Sequence, residues 1–300
     1  MNDLHPLIED WLAHLAETGK SERTTISYRR ALALFVRWSE QSYGQPFDPP
    51  AIIPRDAVDW KSYQLTIEKA RPSTINQRLT ALSRFFKWAV ARGAVRADPT
   101  ADVSGVDSDP RHPKALDNAQ LRRLLRAVNK GGTLRDMALF ELMVGTGLRV
   151  SEVLALQRED VALNDRSGEV IVRAGKGGKQ RSVPLTASVR RAVRAYLEDL
   201  PEMKPTDPLW QGQRGALTSP SGIFRLLKKY AWRAGLAESL VSPHILRHTF
   251  ASRYLAANPG DLRGLAAILG HSSLDTVMIY TEPTTQDLAT RMELAETKTV

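Results

Sequence analysis

The chain has 300 residues, of which 42% are hydrophobic and 25% are charged. This length suits two domains, because a single hydrophobic core stops growing near ~250 residues, and the composition is that of a folded chain. Cysteine is absent, which excludes disulfides, thiolate metal sites and a cysteine nucleophile, and the formal net charge of +9 favours a polyanion as partner.

The sequence lacks the signals of a membrane or exported protein. No stretch approaches the ~18 consecutive apolar residues that a membrane helix needs. The first residues, MNDLHPLIEDWL, carry acidic side chains where a signal peptide would carry basic ones. We therefore expect a cytoplasmic protein that does not bind a membrane.

The first predicted domain covers residues 1–100 and is helical, since its apolar residues recur at helical spacing. In its last helix Ser73 can act as the cap, with Pro72 at the entry, and Gly93 can stop the helix. Residues 101–114 are rich in Pro, Asp, Gly and Ser and have no apolar period. We predict that they form the linker to a second domain.

The second predicted domain, residues 115–300, combines helices with a small antiparallel sheet. Strand-like residues on both sides of a glycine-rich turn predict a β-hairpin over 170–185, with 160–163 as a third strand. Apolar spacing predicts helices over 118–127, 134–144, from 149 onward, and over 188–197, 222–234, 246–255, 262–269 and 276–280. The expected fold class is mainly α, with a helical N-terminal domain followed by a mixed domain of helices around a small antiparallel β-sheet.

The turn of the predicted hairpin carries three glycines and two lysines, Lys176 and Lys179. Such a turn can bring an ammonium group to a phosphate, or it can be an ordinary solvated turn. It is not a P-loop, because the G-x-x-x-x-G-K-[ST] spacing is missing and a strand, not a helix, follows.

Two further segments carry basic residues on helices. His244 and Arg247 are three residues apart on a helix that Pro243 can begin, so both can address one anion. Arg149 begins a helix, where free N–H groups favour anions, and Glu152 lies one turn later, where it can orient an arginine. Taken alone, His244 and Arg247 are better explained as a buried histidine and a surface ion pair. A capped helix with an ion pair explains Arg149 and Glu152 equally well.

The last element contains a histidine and a late tyrosine. Gly270 ends one predicted helix, and Ser272 with Asp275 resembles a capping box for the next. Tyr280 falls near the end of that helix. Taken alone, His271 is a turn residue and Tyr280 a core residue.

Together and in this order, these elements resemble the tyrosine recombinase (integrase) family, and most of all its Xer-type members. The catalytic motifs of the family are matched by Thr146–Glu152, Gly175–Gly177, His244–Ala251 and Leu269–Ser273 with Tyr280. Its N-terminal core-binding domain is matched by Thr24–Arg29 and Ser73–Arg78.

The resemblance implies a site-specific recombinase that cleaves and rejoins duplex DNA through a 3′-phosphotyrosine intermediate, in integration, excision or the resolution of dimers and cointegrates. The implied catalytic residues are Arg149, Lys176, His244, Arg247, His271 and Tyr280. The implied DNA-binding residues are Thr25, Arg29, Ser73, Asn76, Arg78 and Lys179. In this scheme Tyr280 attacks, His244 serves as base and Lys176 as acid.

The same resemblance implies the partners. They are double-stranded DNA with paired inverted half-sites, three further copies of the chain in a homotetramer on that DNA, and accessory proteins as further candidates. No cofactor and no metal are expected, because phosphodiester exchange through a tyrosine ester conserves the bond energy and the motifs contain no carboxylate cluster for two-metal chemistry. A catalytically silent DNA-binding protein and a type IB topoisomerase are the alternative functions.

Overall fold

The protein is described by a computed structural model that divides it into two compact units, Met1–Pro110 and Arg111–Val300. The described residues are 4–107, 115–173, 180–212, 215–217 and 219–270, with single positions 278, 289 and 292. Each unit has its own hydrophobic core. None of the helices in these ranges combines the length and the hydropathy that crossing a bilayer requires.

Over residues 4–107 the N-terminal unit has four α-helices around an aromatic core. The helices are α1 (Pro6–Glu17), α2 (Glu22–Tyr43), α3 (Pro54–Thr66) and α4 (Pro72–Ala91). Among the largest buried side chains are Trp11, Phe35, Trp60 and Phe85. The predicted helical character of this part of the chain is confirmed.

The start of α4 differs from the sequence prediction. The helix begins at Pro72 with Arg71 as its N-cap, so Ser73 lies inside the first turn and the prediction that it caps the helix was wrong. The physical reason is that proline fixes φ near the helical value and lacks an N–H, which suits it to the first helical position. The residue before it therefore becomes the cap.

Part of the predicted linker lies against the N-terminal unit. The side-chain amide of Asn76 on α4 donates to the Val106 carbonyl oxygen at 2.9 Å and accepts from the Val106 N–H at 2.7 Å. The Lys61 ammonium donates to the Ser104 carbonyl oxygen at 2.9 Å. Val103 and Val106 also pack against the core. The rest of the predicted linker, 108–114, is outside the described residues.

These contacts predict a structural effect for Asn76→Ala. Losing two hydrogen bonds to one peptide unit weakens the docking of 101–107 by about 2 kcal/mol. Since the open population then rises roughly 30-fold, limited proteolysis should cut 101–107 correspondingly faster. Gln77→Ala is the matched control, because that amide bonds Ser27 instead. Equal cleavage rates in the two variants would contradict the prediction.

The second unit contains seven helices within its described ranges. They are α5 (Asn118–Gly131), α6 (Leu134–Thr146), α7 (Val150–Ala155), α8 (Ala187–Glu198), α9 (Pro220–Arg233), α10 (Pro243–Ala257) and α11 (Leu262–Leu269). The predicted helix over 276–280 lies outside the described residues. Helix α6 packs against α8 and α10 and is buried over most of its length. It forms the fixed base from which the chain turns into α7.

The sheet of this unit is antiparallel and has the order β1 (Val161–Leu163), β2 (Gly168–Val172) and β3 (Arg181–Pro184). Val172 pairs with Arg181, so the two strands of the predicted hairpin are paired. The predicted glycine-rich turn between them, 174–179, lies outside the described residues. The third strand was also correctly predicted. A second ribbon of β4 (Gln211–Gly212) and β5 (Gly215–Ala216) was not predicted, because two-residue strands leave no alternating pattern.

Candidate active site

Two predicted catalytic arginines meet at one carbonyl oxygen. Arg247, in the second turn of α10, donates from Nη1 to the Gly147 carbonyl oxygen at 2.8 Å and from Nη2 to the Leu269 carbonyl oxygen at 2.9 Å. Arg149, the N-cap of α7, donates from Nη1 to the same Leu269 oxygen at 3.3 Å. Residues that are 98 positions apart in sequence thus place two guanidinium groups side by side.

Gly147 allows the end of α6 to lie close to α10 and α11. It ends α6 in the left-handed region at φ 63°, where residues with a side chain are strained. A Cβ atom there would lie 2.5 Å from the Phe250 ring and 2.9 Å from Leu269. The glycine therefore lets the α6–α7 turn contact α10 and α11. In this way it sets the position of Arg149 at the start of α7.

The two guanidiniums differ in exposure. The side chain of Arg149 is 32% exposed, whereas the whole of Arg247 is 6% exposed. Among the described residues, Nε and Nη2 of Arg149 have no hydrogen-bond partner. These donors are available to a ligand, and two adjacent positive charges favour an anion.

Glu152 holds Arg149 in place. Its two carboxylate oxygens accept from the Arg149 backbone N–H at 2.8 Å and from Arg149 Nη1 at 2.9 Å, and they also accept two bonds from Arg181. Burial raises the pKa of Glu152, but the bonds from Arg181 and Arg149 outweigh it and leave the pKa below its usual value. Glu152 therefore stays ionised and orients arginine side chains rather than transferring protons.

Helix α10 presents its two histidines differently. Ser242 caps the helix by accepting from the Ile245 N–H at 3.2 Å, and His244 in the first turn is exposed to solvent. Burial, followed by electrostatic repulsion from His244 and Arg247, lowers the pKa of His248. His244 is thus the more accessible of the two.

The remaining predicted catalytic and hairpin residues lie outside the described residues; these are Lys176, Lys179, His271 and Tyr280. The structure does describe residues close to them in the chain. Leu269, which both arginines contact, precedes His271 by two positions, and the strands on either side of Lys176 are paired.

The predicted DNA-binding residues of the N-terminal unit make contacts within the protein. Arg29 forms an ion pair with Glu9, and Arg78 bonds Glu68 at 2.6 Å and Gln64 at 3.0 Å. Two others also bond within the protein: Asn76 holds Val106, and the Thr25 hydroxyl donates to the Ser21 carbonyl oxygen at 3.4 Å. Ser73 is exposed in the first turn of α4. Intramolecular contacts account for Arg29, Asn76 and Arg78.

A groove between α2 and α4 contains the predicted DNA-binding residue Arg78 and two arginines that were not singled out from the sequence. Arg23 and Arg30 line it together with Ser27, Thr74 and Gln77. Both arginines are exposed, and neither forms an ion pair within the described part of the chain. Their spacing of seven, which puts both on one face of a helix, was the signal available in the sequence.

The comparisons with known proteins agree with this geometry. Residues 114–287 match the profile of the Phage integrase family, and residues 8–93 match that of the phage integrase N-terminal SAM-like domain. The chain belongs to the phage integrase family. This membership confirms the predicted family, the fold class and the enzyme class, a tyrosine site-specific recombinase.

Individual relatives of this recombinase extend over nearly all of it. It is 38% identical over 280 residues to the tyrosine recombinase XerD of Ralstonia nicotianae, covering 91% of this chain and 88% of that one. The identity to the tyrosine recombinase XerC of Neisseria gonorrhoeae is also 38% over 280 residues, covering 91% and 89%.

Two solved structures share the fold. XerH recombinase bound to its difH substrate matches with a TM-score of 0.73 and 22% identity, covering 97% of this chain and 85% of that one. A lambda integrase dimer bound to a core site matches with a TM-score of 0.72 and 20% identity, covering 92% and 94%. In the described part of this recombinase no group of three His, Asp or Glu side chains is placed to hold a metal ion.

Proposed function

We propose that this recombinase cleaves and rejoins duplex DNA at specific sites, with Arg149 and Arg247 holding the scissile phosphate and Tyr280 forming a 3′-phosphotyrosine ester. The observation that carries the proposal is the contact of both guanidiniums with the Leu269 carbonyl oxygen, at 3.3 and 2.9 Å. Two arginines that meet at one oxygen atom suit the two nonbridging oxygens of one phosphodiester.

The arginines act by charge. Attack on the phosphorus adds an oxygen and builds negative charge on the nonbridging oxygens, and preorganised donors stabilise that charge more strongly than water does. The available Nε and Nη2 donors of Arg149 serve this purpose. Glu152, ionised and bonded to Arg149, keeps the guanidinium in position before the substrate arrives.

The other tyrosines of the second unit support the assignment of Tyr280 as nucleophile. Burial raises the pKa of Tyr196 and of Tyr230, and the hydrogen bond that Tyr254 donates to Asp261 raises the pKa of Tyr254. A phenol with a raised pKa is a poorer source of phenolate near neutral pH. Tyr280 is the fourth tyrosine of this unit.

The proton transfers are assigned to three side chains. A free tyrosine has a pKa of ~10, so the phenol needs a base, and the exposed His244 is our choice. The leaving 5′ oxygen needs a proton, which Lys176 supplies. His271 donates a hydrogen bond to the phosphate. The phosphotyrosine ester keeps the energy of the broken bond, so a second 5′ hydroxyl reverses the step without a nucleotide cofactor.

Both units are proposed to bind DNA. The groove lined by Arg23 and Arg30 offers cations to the phosphate backbone, and Lys179 of the hairpin adds another. Recombination joins two sites with two protomers each, so we infer a homotetramer on DNA with paired inverted half-sites, acting in the cytoplasm. XerH and lambda integrase, which share the fold, were each solved bound to DNA, and this supports DNA as the partner.

The test is covalent capture. A pool of duplexes with a random central segment is incubated with the protein, denatured, and the DNA that stays attached is amplified through repeated rounds. We expect one family of inverted half-sites, here called the selected duplex, and strand exchange between two copies of it. Noncovalent binding alone would favour the silent DNA-binding protein, and relaxation of any plasmid without exchange would favour a type IB topoisomerase.

Lys176→Ala is expected to slow cleavage of the selected duplex by about 10²-fold or more, because the 5′ alkoxide then leaves without a proton. Sulfur in place of the bridging 5′ oxygen should restore the rate, since a thiolate leaves unaided. Lys179→Ala, three positions further along the same glycine-rich segment, is the control: it should weaken DNA binding, and the sulfur substitution should not restore that binding. An equal deficit for Lys176→Ala on both substrates would refute its role as acid.

A further inference from the structure

We propose that Arg181, at the start of β3, is a positioning residue for the phosphate-binding arginines; the inference rests on the proposed function. Its side chain is 13% exposed. Nη1 and Nη2 donate to the two oxygens of Glu152 at 3.1 and 2.9 Å, and Nε donates to the Ile268 carbonyl oxygen at 2.9 Å. Every nitrogen of this guanidinium therefore has a partner within the protein.

The first contact controls Arg149 through Glu152. Each Glu152 oxygen accepts one bond from Arg149 and one from Arg181, so the carboxylate is shared between two arginines. A buried carboxylate that loses one of two cations interacts more strongly with the other. Without Arg181, Glu152 draws the Arg149 guanidinium toward itself and offsets more of the charge that Arg149 presents to a phosphate.

The second contact fixes the end of α11. The last carbonyl groups of a helix have no partner within the helix, and arginine side chains commonly satisfy them. Arg181 holds the Ile268 carbonyl, while Arg149 and Arg247 hold the next one, that of Leu269. Three arginines thus fix two successive carbonyls immediately before the chain reaches His271.

Gly270 fits the same arrangement. It ends α11 at φ 66°, and a Cβ atom there would lie 2.7 Å from Arg181 Nη1 and 2.8 Å from Cζ. The Arg181 guanidinium therefore lies against the glycine backbone, a contact that a residue with a side chain would prevent. Arg181 joins the sheet, α7 and the end of α11 at one point and acts through Arg149 rather than on the substrate.

The experiment compares cleavage of the selected duplex with cleavage of a duplex whose scissile phosphate is a neutral methylphosphonate. Arg181→Ala should slow cleavage of the phosphodiester about 10²-fold at saturating protein, as misplaced catalytic groups do, with little change in DNA affinity. On the methylphosphonate, which carries no charge for Arg149 to bind, the deficit relative to the wild type should be at least about tenfold smaller. Arg149→Ala should behave in the same way.

Two further variants separate positioning from folding. Arg181→Lys keeps a cation beside Glu152 but cannot hold both of its oxygens and the Ile268 carbonyl, so an intermediate deficit with the same methylphosphonate rescue is expected. Arg123→Ala is the matched control, because Arg123 also donates to backbone carbonyls, those of Ala234 and Gly235, within the same unit. Its effect should be equal on the two substrates.

The outcomes are distinguishable. Arg181 variants that cleave as fast as the wild type, or that lose equal activity on both substrates, the pattern expected of Arg123→Ala, overturn the positioning role while leaving the proposed function standing. A wild-type protein that captures no DNA covalently removes the proposed function and this inference with it.

Discussion

Tyr280→Phe is expected to abolish the covalent adduct with the selected duplex, lowering its yield by a factor of about 10⁴ or more. The reason is chemical: the phenolic oxygen is the atom that forms the phosphotyrosine ester, and phenylalanine lacks it. DNA affinity should be retained, because the substitution removes no positive charge. Denaturing gels measure the adduct, and fluorescence anisotropy measures the binding.

Tyr254→Phe is the matched control for this prediction. The Tyr254 hydroxyl donates to Asp261 at 2.7 Å on the surface of the same unit, and we assign it no part in catalysis. Its removal should leave the adduct yield near that of the wild type. An undiminished adduct from Tyr280→Phe would contradict the assignment of the nucleophile.

Arg247→Ala is expected to slow adduct formation by about 10³-fold, because it removes a preorganised cation from the developing charge on the phosphate. Stability should also fall by about 1–3 kcal/mol, because the Gly147 carbonyl oxygen loses its arginine donor and the Leu269 carbonyl oxygen keeps only the longer bond from Arg149. Single-turnover cleavage at saturating protein measures the first effect and thermal unfolding the second.

Substitution by lysine separates charge from geometry at this position. Arg247→Lys keeps the charge, but lysine lacks the planar guanidinium that reaches both carbonyls and a phosphate. The cleavage rate should therefore remain at least about 10²-fold below that of the wild type. Arg253→Ala, on the exposed side of the same helix, is the control and should cleave normally. Near-normal cleavage by Arg247→Lys would show that position 247 supplies only charge.

Local features of the site could be predicted from the sequence. The Arg149–Glu152 ion pair and the start of α10 at Pro243 follow from spacings of a few residues. The hairpin followed from a change of period around a glycine-rich turn. The capping prediction for Ser73 failed at the same local level, because the sequence offered two residues for one helix start and the proline took precedence.

Contacts between distant segments could not be predicted in this way. The bond from Arg247 to the Gly147 carbonyl spans 100 positions, and that from Arg181 to Glu152 spans 29. Such contacts depend on how α7, α10, α11 and the sheet pack together. Every residue has a backbone carbonyl, so the residue type does not show which carbonyl accepts a hydrogen bond. For the same reason the two hydrogen bonds between the Asn76 amide and Val106 could not be predicted.

The most direct test of the account is to identify the amino acid that becomes linked to DNA. The adduct formed on the selected duplex is digested with nuclease and protease and analysed by tandem mass spectrometry. We predict one modified peptide, in which the Tyr280 oxygen carries the 3′-phosphate of a nucleotide. A nucleotide attached to any other residue, or joined through its 5′-phosphate, would contradict the account.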